Sequence, residues 1–105
     1  LVDLFTRKAY TSYGIARLAL AMRAAIHPGF IFRDPDRKFH HVLRFGPPLS
    51  IDYDAPREEE VVRVTRRCNE ELEKVIREAP DQWLWLHRRW KTRPRGEPDL
   101  YEGIR

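Results

Sequence analysis

The residues with the clearest chemistry form one short stretch, Trp-Leu-Trp-Leu-His-Arg-Arg-Trp-Lys at 83–91, here called the Trp/Arg segment. It holds all three tryptophans of the chain, with Arg88 and Arg89 just before the last of them and Lys91 directly after it. Arginine binds phosphate through paired hydrogen bonds, and tryptophan suits a boundary between apolar and polar groups. The segment predicts a surface for a lipid headgroup, a membrane interface or a nucleic acid. The alternative is that the tryptophans dock a last helix onto the core and the cations are solvated.

The other reactive side chains match no catalytic or metal-binding motif. His40 and His41 are neighbours, so on a strand they point to opposite faces and cannot ligate one metal ion together. Ser12 and Ser50 lack the Gly-x-Ser-x-Gly sequence of a nucleophile elbow, and no glycine-rich phosphate loop is present. Cys68 falls on the apolar stripe of a predicted helix, which indicates a small core residue. The residues therefore predict neither a metal site nor a nucleotide site.

Length and composition limit the class of protein. A chain of 105 residues with 42% hydrophobic and 34% charged residues predicts one globular domain with a modest core. A net charge of +4 and a pI near 9.6 favour anionic partners mildly. No stretch approaches the ~20 apolar residues that cross a bilayer. The chain opens without Met inside a strand-like sequence, so we expect it to be part of a longer protein.

Apolar spacing and turn signals predict an α/β fold, a mixed β-sheet with flanking helices in the order β-α-β-β-β-α-α. The predicted strands are residues 2–5, 26–32 (an edge strand or bulge at Pro28), 39–45 and 49–53, with turns at 6–8 and 34–38. The predicted helices run from Thr11 or Ser12 to residue 25, from 56 to 79, and from 81 to 90. The expected organisation is an α/β portion at 1–91 followed by an extended tail at 92–105.

Two amphipathic patterns support the helix predictions. The first helix has apolar residues at helical spacing, among small residues that would let it lie close against a sheet: Ile15, Leu18, Ala19 and Met22. The long helix has an acidic first turn, which the helix dipole favours, and one apolar stripe: Val61, Val64, Cys68, Leu72, Val75 and Ile76.

Five segments, in this order, carry a family resemblance. Val-Asp-Leu-Phe-Thr-Arg-Lys-Ala at 2–9 is similar to V-x-F-F-G-R-P-A, and residues 11–19 are similar to T-x-x-G-[LI]-A-x-L-A. Residues 25–33 are similar to A-x-[VI]-x-P, and Phe-Gly-Pro-Pro-Leu at 45–49 and the stretch at 82–91 complete the series. Together they resemble the bacterial lipid A biosynthesis acyltransferases, the lauroyl/myristoyl acyltransferase family, within the lysophospholipid acyltransferase-like superfamily.

The resemblance implies a function for the full-length protein. It implies transfer of a fatty acyl chain from an acyl carrier protein thioester to a hydroxyl of a lipid A precursor, without a cofactor, at the cytoplasmic face of the bacterial inner membrane. The chain would be the C-terminal portion of the acyltransferase α/β fold. The implied partners are acyl carrier protein, an anionic glycolipid and the membrane surface. The substrate-binding candidates are Arg7, Thr11, Pro28, Arg88, Arg89 and Lys91.

The sequence departs from the family pattern at two places. Thr6 and Lys8 replace the Gly and Pro of the first motif, so the turn that carries Arg7 is expected to be built differently. The family catalyses with a His-x4-Asp/Glu pair, in which histidine takes the proton of the acceptor hydroxyl. No histidine here is followed at that spacing by an acidic residue, so we expect no catalytic residue within this chain and no activity from it alone.

The sequence allows two alternative functions, and it also predicts self-association. The Trp/Arg segment could serve a nucleic-acid-binding module or an anionic-membrane-binding module with no transferase activity, although nucleic acid is not an expected partner of the acyltransferase. An open sheet edge at residues 2–5 would invite self-pairing, so we expect the isolated chain to form a dimer or a larger assembly.

Overall fold

The computed structural model describes residues 1–83 and 88–101. Its elements, in chain order, are strands β1 (Val2–Leu4) and β2 (Arg7–Ala9), helix α1 (Gly14–Met22), strands β3 (Gly29–Arg33) and β4 (His41–Phe45), and helix α2 (Arg57–Glu78). The strands form two separate antiparallel hairpins, β1–β2 and β3–β4. The α/β class is confirmed. The predicted single mixed sheet is wrong, because no strand of one hairpin pairs with the other, and the observed element order differs from the predicted one.

The first hairpin is tighter than the sequence predicts. Its two-residue turn is Phe5 and Thr6, and Arg7 already belongs to β2, so the predicted turn at 6–8 is wrong. Phe5 has a φ of 56° and Thr6 has no positive φ, as in a type II′ turn that matches the twist of the flanking strands. The Glu73 carboxylate accepts a hydrogen bond from the Phe5 N–H and fixes this turn on α2. Glycine is preferred at the first position of such a turn, and the phenylalanine found there gives no turn signal in the sequence.

Helix α1 is shorter than predicted at both ends. It begins at Gly14, whose N–H donates to the Ser12 hydroxyl at 3.2 Å, while the Thr11 hydroxyl is engaged elsewhere. It ends at Met22, because Arg23 adopts a left-handed conformation with a φ of 48°. A single left-handed residue stops the i to i+4 hydrogen-bond pattern.

The predicted apolar face of α1 lies mainly in solvent. Three of its members are 64%, 63% and 71% exposed: Ile15, Leu18 and Met22. The buried residues of the helix are Ala16, Ala19 and Leu20. The small alanine side chains let α1 pack closely on α2, so its partner is a helix rather than the predicted sheet.

The second hairpin consists of two of the predicted strands, which pair antiparallel. β3 begins at Gly29 rather than at residue 26, since Pro28 lacks the N–H that a strand ladder requires. β4 begins at His41, and Ile31 lies opposite Leu43. The predicted turn between these strands is present, with the Asp36 N–H donating to the Asp34 carboxylate at 2.9 Å.

The predicted strand at 49–53 is wrong. The chain there is irregular, although the Leu49 N–H donates to the Ile26 carbonyl at 2.8 Å. The Glu60 carboxylate holds this return segment by accepting the Asp52 N–H at 2.8 Å. Glu60 lies in the first turn of α2, as the predicted acidic first turn requires, and it is buried at 3% exposure, which the sequence did not predict.

Helix α2 confirms the predicted helix at 56–79 and organises the core. One cluster joins it to α1 through the buried residues Ala16, Leu20, Val61 and Val64, and Cys68 packs against that cluster as predicted. The first hairpin packs on the same helix through Val2 and Leu4, which are 1% and 0% exposed. Burying side chains of this size contributes about 1.5–3 kcal/mol each. Neither α1 nor α2 has both the length and the apolar character of a bilayer-crossing helix, among the residues that the structure describes.

The predicted helix at 81–90 is wrong in the part of it that the structure describes. A 3-10 turn occupies Pro80–Gln82, and Trp90 lies in a turn. Residues 84–87 lie outside the described part. Residues 92–101 contain no helix or strand, and the domain boundary placed after residue 91 stays a prediction.

Candidate functional site

The cations of the Trp/Arg segment lie beside the chain that leads into α1. Arg89 donates from Nη1 to the Tyr10 carbonyl and from Nη2 to the Thr11 hydroxyl, each at 2.6 Å. Arg88 and Lys91 are exposed on either side of it. These groups bound an open cavity of about 410 Å³, here called the cationic cleft, lined by Tyr10, Thr11, Ser12, Arg88, Arg89, Lys91 and Thr92.

A buried amide on α2 positions the centre of this cleft. Asn69 is 4% exposed, and its Nδ2 donates to the Asp3 carbonyl at 3.1 Å and to the Thr11 hydroxyl at 3.3 Å. The Thr11 hydroxyl also donates to the Ala9 carbonyl at 3.3 Å and accepts from Arg89. A hydroxyl has one proton and two lone pairs, so that of Thr11 is saturated. Thr11 therefore supports Arg89.

The electrostatics of the cleft favour an anion. Burial lowers the pKa of the Arg89 guanidinium, an effect that Tyr101 opposes, but arginine stays charged at neutral pH. Within residues 1–83 and 88–101, no carboxylate contacts the side chain of Arg88, Arg89 or Lys91. A partly buried cation without a counter-ion gains from any oxyanion that reaches it. The chemistry of the cleft thus suits phosphate or carboxylate oxygens.

A second cavity also borders Thr11 and Ser12. It measures about 350 Å³, lies between α1, α2 and the start of β3, and is here called the apolar cavity. Its walls are mainly apolar, and they include Ile15, Ala16, Ile26, Pro28, Phe30, Leu49, Cys68 and Leu72. Thr11 and Ser12 line both cavities, so a cationic surface and an apolar cavity meet at these two residues.

The polar groups around the apolar cavity are already engaged. The Thr65 hydroxyl donates to the Val61 carbonyl at 2.7 Å, and Glu71 pairs with Arg67 and Lys74, each at 2.9 Å. Burial raises the pKa of the Cys68 thiol, which keeps it protonated at neutral pH. The cavity therefore presents packing surface, and it suits a hydrocarbon chain.

The structure separates the predicted substrate residues into three places. Arg88, Arg89 and Lys91 line the cationic cleft, and Thr11 stands between the cleft and the apolar cavity. Pro28 lines the apolar cavity and not the cationic cleft. Arg7 reaches neither cavity, because it lies on β2 and borders a pocket with Trp90 at the turn of the first hairpin. The candidates themselves remain predictions.

Sequence reasoning missed Asn69, which connects α2 to both the first hairpin and Thr11. The signal was present, because Asn69 interrupts the apolar stripe of a helix between Cys68 and Leu72. A polar side chain on a buried helical face must find partners, and here the partners are distant in sequence. The sequence predicts that a helix starts at Thr11 or Ser12, but it does not predict that both residues lie between two cavities.

The tryptophans and histidines are placed more simply. Trp90 packs on Phe5 with ring centroids 6.5 Å apart, so this tryptophan docks the segment onto the first hairpin. His27 and His40 are exposed and contact the backbone carbonyls of Gly46 and Lys38 at 3.2 and 3.0 Å. In the described part of the chain, no three His, Cys, Asp or Glu side chains cluster as metal ligands would.

Comparisons with a family model and with curated proteins indicate the same family. The family model described as bacterial lipid A biosynthesis acyltransferase matches residues 1–92. The Escherichia coli (strain K12) lipid A biosynthesis lauroyltransferase is 36% identical over 101 residues, which is 95% of this chain and 31% of that protein. The myristoyltransferase of the same organism is 32% identical over 102 residues, 96% of this chain and 30% of that protein.

Other comparisons define how much of such a protein is present. The Escherichia coli (strain K12) lipid A biosynthesis palmitoleoyltransferase is 61% identical, but over 33 residues, or 31% of this chain and 11% of that protein. The chain thus spans less than a third of the length of the curated relatives that it matches. No solved structure matches it significantly.

Proposed function

Because this chain belongs to the bacterial lipid A biosynthesis acyltransferase family, we propose that the full-length protein transfers a fatty acyl chain to a hydroxyl of a lipid A precursor. The observation that carries the proposal is the junction of the cationic cleft and the apolar cavity at Thr11 and Ser12. A lipid with an anionic headgroup has the same two parts in the same adjacency. The activity concerns the whole protein, since this chain spans under a third of its relatives.

The cleft has the chemistry to orient the headgroup of the acceptor. Arg89 is held by the Tyr10 carbonyl and the Thr11 hydroxyl, so its remaining N–H groups keep a fixed direction. The exposed Arg88 and Lys91 can adjust to an anion without first breaking an ion pair among the described residues. The positioned Arg89 loses little freedom on binding, which raises affinity and fixes the register of the ligand. We infer that they bind the anionic groups of the glycolipid.

The apolar cavity has the chemistry to receive an acyl chain that the glycolipid already carries. Its wall includes Ile15 from α1, Leu72 from α2 and Phe30 from β3. Each buried methylene contributes about 0.8 kcal/mol, so a few carbons of chain in this cavity would add substantially to the affinity. The saturated Thr11 hydroxyl makes no competing demand on the ligand.

The proton-transfer chemistry belongs, in this proposal, to residues outside these 105. None of the four histidines is followed at the family spacing by a carboxylate, so the chain by itself is expected to be inactive. The proposed donor is an acyl carrier protein thioester, an acidic partner that the net charge of +4 would attract. The proposed location is the cytoplasmic face of the inner membrane, and the chain is the proposed C-terminal portion of the acyltransferase fold. The reaction needs no metal or organic cofactor.

The test is an acyl-transfer assay on the full-length protein with acyl carrier protein thioesters and a lipid A precursor. The variant is Arg88→Ala with Lys91→Ala, which removes two exposed cations of the cleft. The matched control is Arg37→Ala, an exposed arginine in the turn between β3 and β4 that lines neither cavity. We expect KM for the glycolipid to rise about tenfold or more, as the loss of charge-assisted hydrogen bonds predicts, with kcat little changed.

Two outcomes would contradict the proposal. Absence of transfer from any thioester to any glycolipid would reject the acyltransferase function, and binding to anionic vesicles without transfer would favour a membrane-binding module. Transfer with an unchanged KM in the double variant would keep the reaction and reject the cleft as the headgroup site.

A further inference from the structure

A third cavity lies at the turn of the first hairpin, apart from the cationic cleft and the apolar cavity. It measures about 320 Å³ and is here called the hairpin pocket. Its lining residues are Leu4, Phe5, Thr6, Arg7, Trp90, Leu100 and Tyr101. None of them is acidic, and none lines the other two cavities.

Two hydrogen-bond donors at this pocket have no protein acceptor within the described residues 1–83 and 88–101. The Trp90 indole Nε1 is buried without a partner, although the backbone N–H of the same residue donates to the Tyr101 hydroxyl at 3.1 Å. Arg7 is exposed, and its side chain makes no ion pair or hydrogen bond with the part of the chain that the structure describes. The buried indole N–H is closed to a ligand oxygen but lies beside the pocket, whereas the exposed guanidinium of Arg7 can bind an oxyanion directly.

The surroundings of these donors are apolar and electropositive. The Phe5 ring packs on Trp90, and the Arg77 guanidinium lies 4.9 Å from the centroid of the Phe5 ring. Arg88 lies 5.6 Å from the centroid of the Tyr101 ring. These cations reinforce the positive potential, while the carboxylate of Glu73 is committed to the Phe5 N–H.

The backbone of Phe5 adopts a conformation that is unfavourable for a non-glycine residue. Its φ of 56° is left-handed, which costs a non-glycine residue about 1–3 kcal/mol. The cost is offset by the hydrogen bond to Glu73 and by the contacts of the ring with Trp90 and Arg77. The turn thereby keeps an aromatic wall on the pocket beside Arg7.

We propose that the hairpin pocket binds an oxyanion at the end of a short apolar chain. The oxygens accept hydrogen bonds from the Arg7 guanidinium beside Trp90, and the chain packs on the Phe5 ring and Leu100. The carboxylate of a free fatty acid and the phosphate of a lipid both have this chemistry. The site is a binding site separate from the acceptor site, so it does not depend on acyl transfer.

The test follows the Trp90 indole N–H by NMR in full-length protein labelled with ¹⁵N-tryptophan, with the resonance assigned through Trp90→Phe. The probes are hexanoate, hexyl phosphate and, as an uncharged control, hexanol. We expect at least one anionic probe to shift this resonance saturably. Arg7→Ala should raise the Kd about tenfold, the loss of one charge-assisted hydrogen bond, and Arg37→Ala should leave it unchanged.

Each outcome decides the proposal. A shift with hexanoate alone identifies a carboxylate site, one with hexyl phosphate alone identifies a phosphate site, and shifts with both confirm a general oxyanion site. Equal shifts with hexanol, no saturable shift, or a Kd that Arg7→Ala leaves unchanged would overturn the proposal. Because Arg7 is exposed, we expect Arg7→Ala to fold normally. Unchanged resonances of the other tryptophans would show that it does.

Discussion

The two hairpins of this chain differ in how they are held. The first hairpin buries Val2, Leu4 and Ala9 almost completely against the rest of the chain. The second hairpin is open, with Ile31 and Leu43 exposed to 67% and 57%. The cationic cleft and the hairpin pocket are both built on the first hairpin and the chain that follows it. Geometry that must stay fixed is therefore carried by the buried hairpin.

The second hairpin is attached mainly by polar contacts. Arg44 makes a paired hydrogen bond to Glu78 at 2.8 and 2.6 Å, and the Arg33 N–H donates to the Gln82 side chain at 2.8 Å. Polar contacts at an exposed surface contribute little stability each. Local opening should therefore be easier in β3–β4 than in β1–β2.

The largest expected effect comes from truncating the buried hairpin. Leu4→Ala should lower the free energy of unfolding by about 2–5 kcal/mol, because it leaves a cavity at a position that is 0% exposed. The matched control is Leu43→Ala, the same change on the second hairpin, which should shift it by about 0.5 kcal/mol or less. Urea denaturation measures both. Equal effects of the two substitutions would contradict the comparison.

The second expected effect concerns the amide that connects α2 to the first hairpin. Asn69→Ala removes the donor to the Asp3 carbonyl and to the Thr11 hydroxyl, and should cost about 1–3 kcal/mol in the free energy of unfolding. Thr65→Val on the same helix is the control, since its hydroxyl donates only within α2. If denaturation curves show that Asn69→Ala lowers the free energy of unfolding no more than Thr65→Val does, the hydrogen bonds from Asn69 to Asp3 and Thr11 are weak.

The third expected effect concerns the Arg44–Glu78 pair, which attaches the second hairpin to α2. Arg44→Ala removes the pair with Glu78 and should speed amide hydrogen exchange in β3 and β4 while leaving β1 and β2 unchanged. Arg37→Ala, in the turn of the same hairpin, should change neither. Faster exchange in both hairpins would mean that they open together.

The smallest effect is a pH dependence of the return segment. The hydrogen bond from Arg63, helped by the Asp52 N–H, holds the pKa of the Glu60 carboxyl below its ordinary value, although burial raises it. The stability that Glu60 contributes is present above the ordinary carboxyl pKa and is lost as pH falls through the lowered one. The difference in unfolding free energy between the wild type and Glu60→Gln should therefore narrow on acidification. A constant difference would exclude this coupling.

The sequence predicts what depends on local pattern. Helix α2 follows from its apolar stripe, its acidic first turn and the adjacent Pro56. The pairing of β3 with β4 follows from the turn that Asp34 begins. The cations of the cleft follow from residue type alone.

The rest depends on partners that are distant along the chain. Ile15 and Leu18 have the spacing of a buried face, but the alanines of α1 pack on α2 instead. The predicted strand at 49–53 is absent because β-branched and apolar residues do not form a strand unless a neighbouring strand pairs with them. Asn69 reaches Asp3 across 66 positions, a contact that no local pattern contains.

Self-association of the isolated chain stays a prediction, and the structure suggests a surface for it. Ile31, Leu43 and Phe45 lie on one face of the second hairpin and are exposed. Light scattering of the chain and of Leu43→Lys would measure the assembly. A wild-type monomer would contradict the prediction, and an unchanged assembly in the variant would place the contact elsewhere.

The most direct measurement of the proposed acceptor site is the alkylation rate of Cys68, which lies on the wall of the apolar cavity. Peptide mass spectrometry of the full-length protein would follow this thiol as a lipid A precursor is added. We predict that saturating lipid slows the alkylation of Cys68, and that Arg88→Ala with Lys91→Ala raises the lipid concentration required about tenfold, as expected for lost charge-assisted hydrogen bonds. An alkylation rate that saturating lipid leaves unchanged would contradict the account.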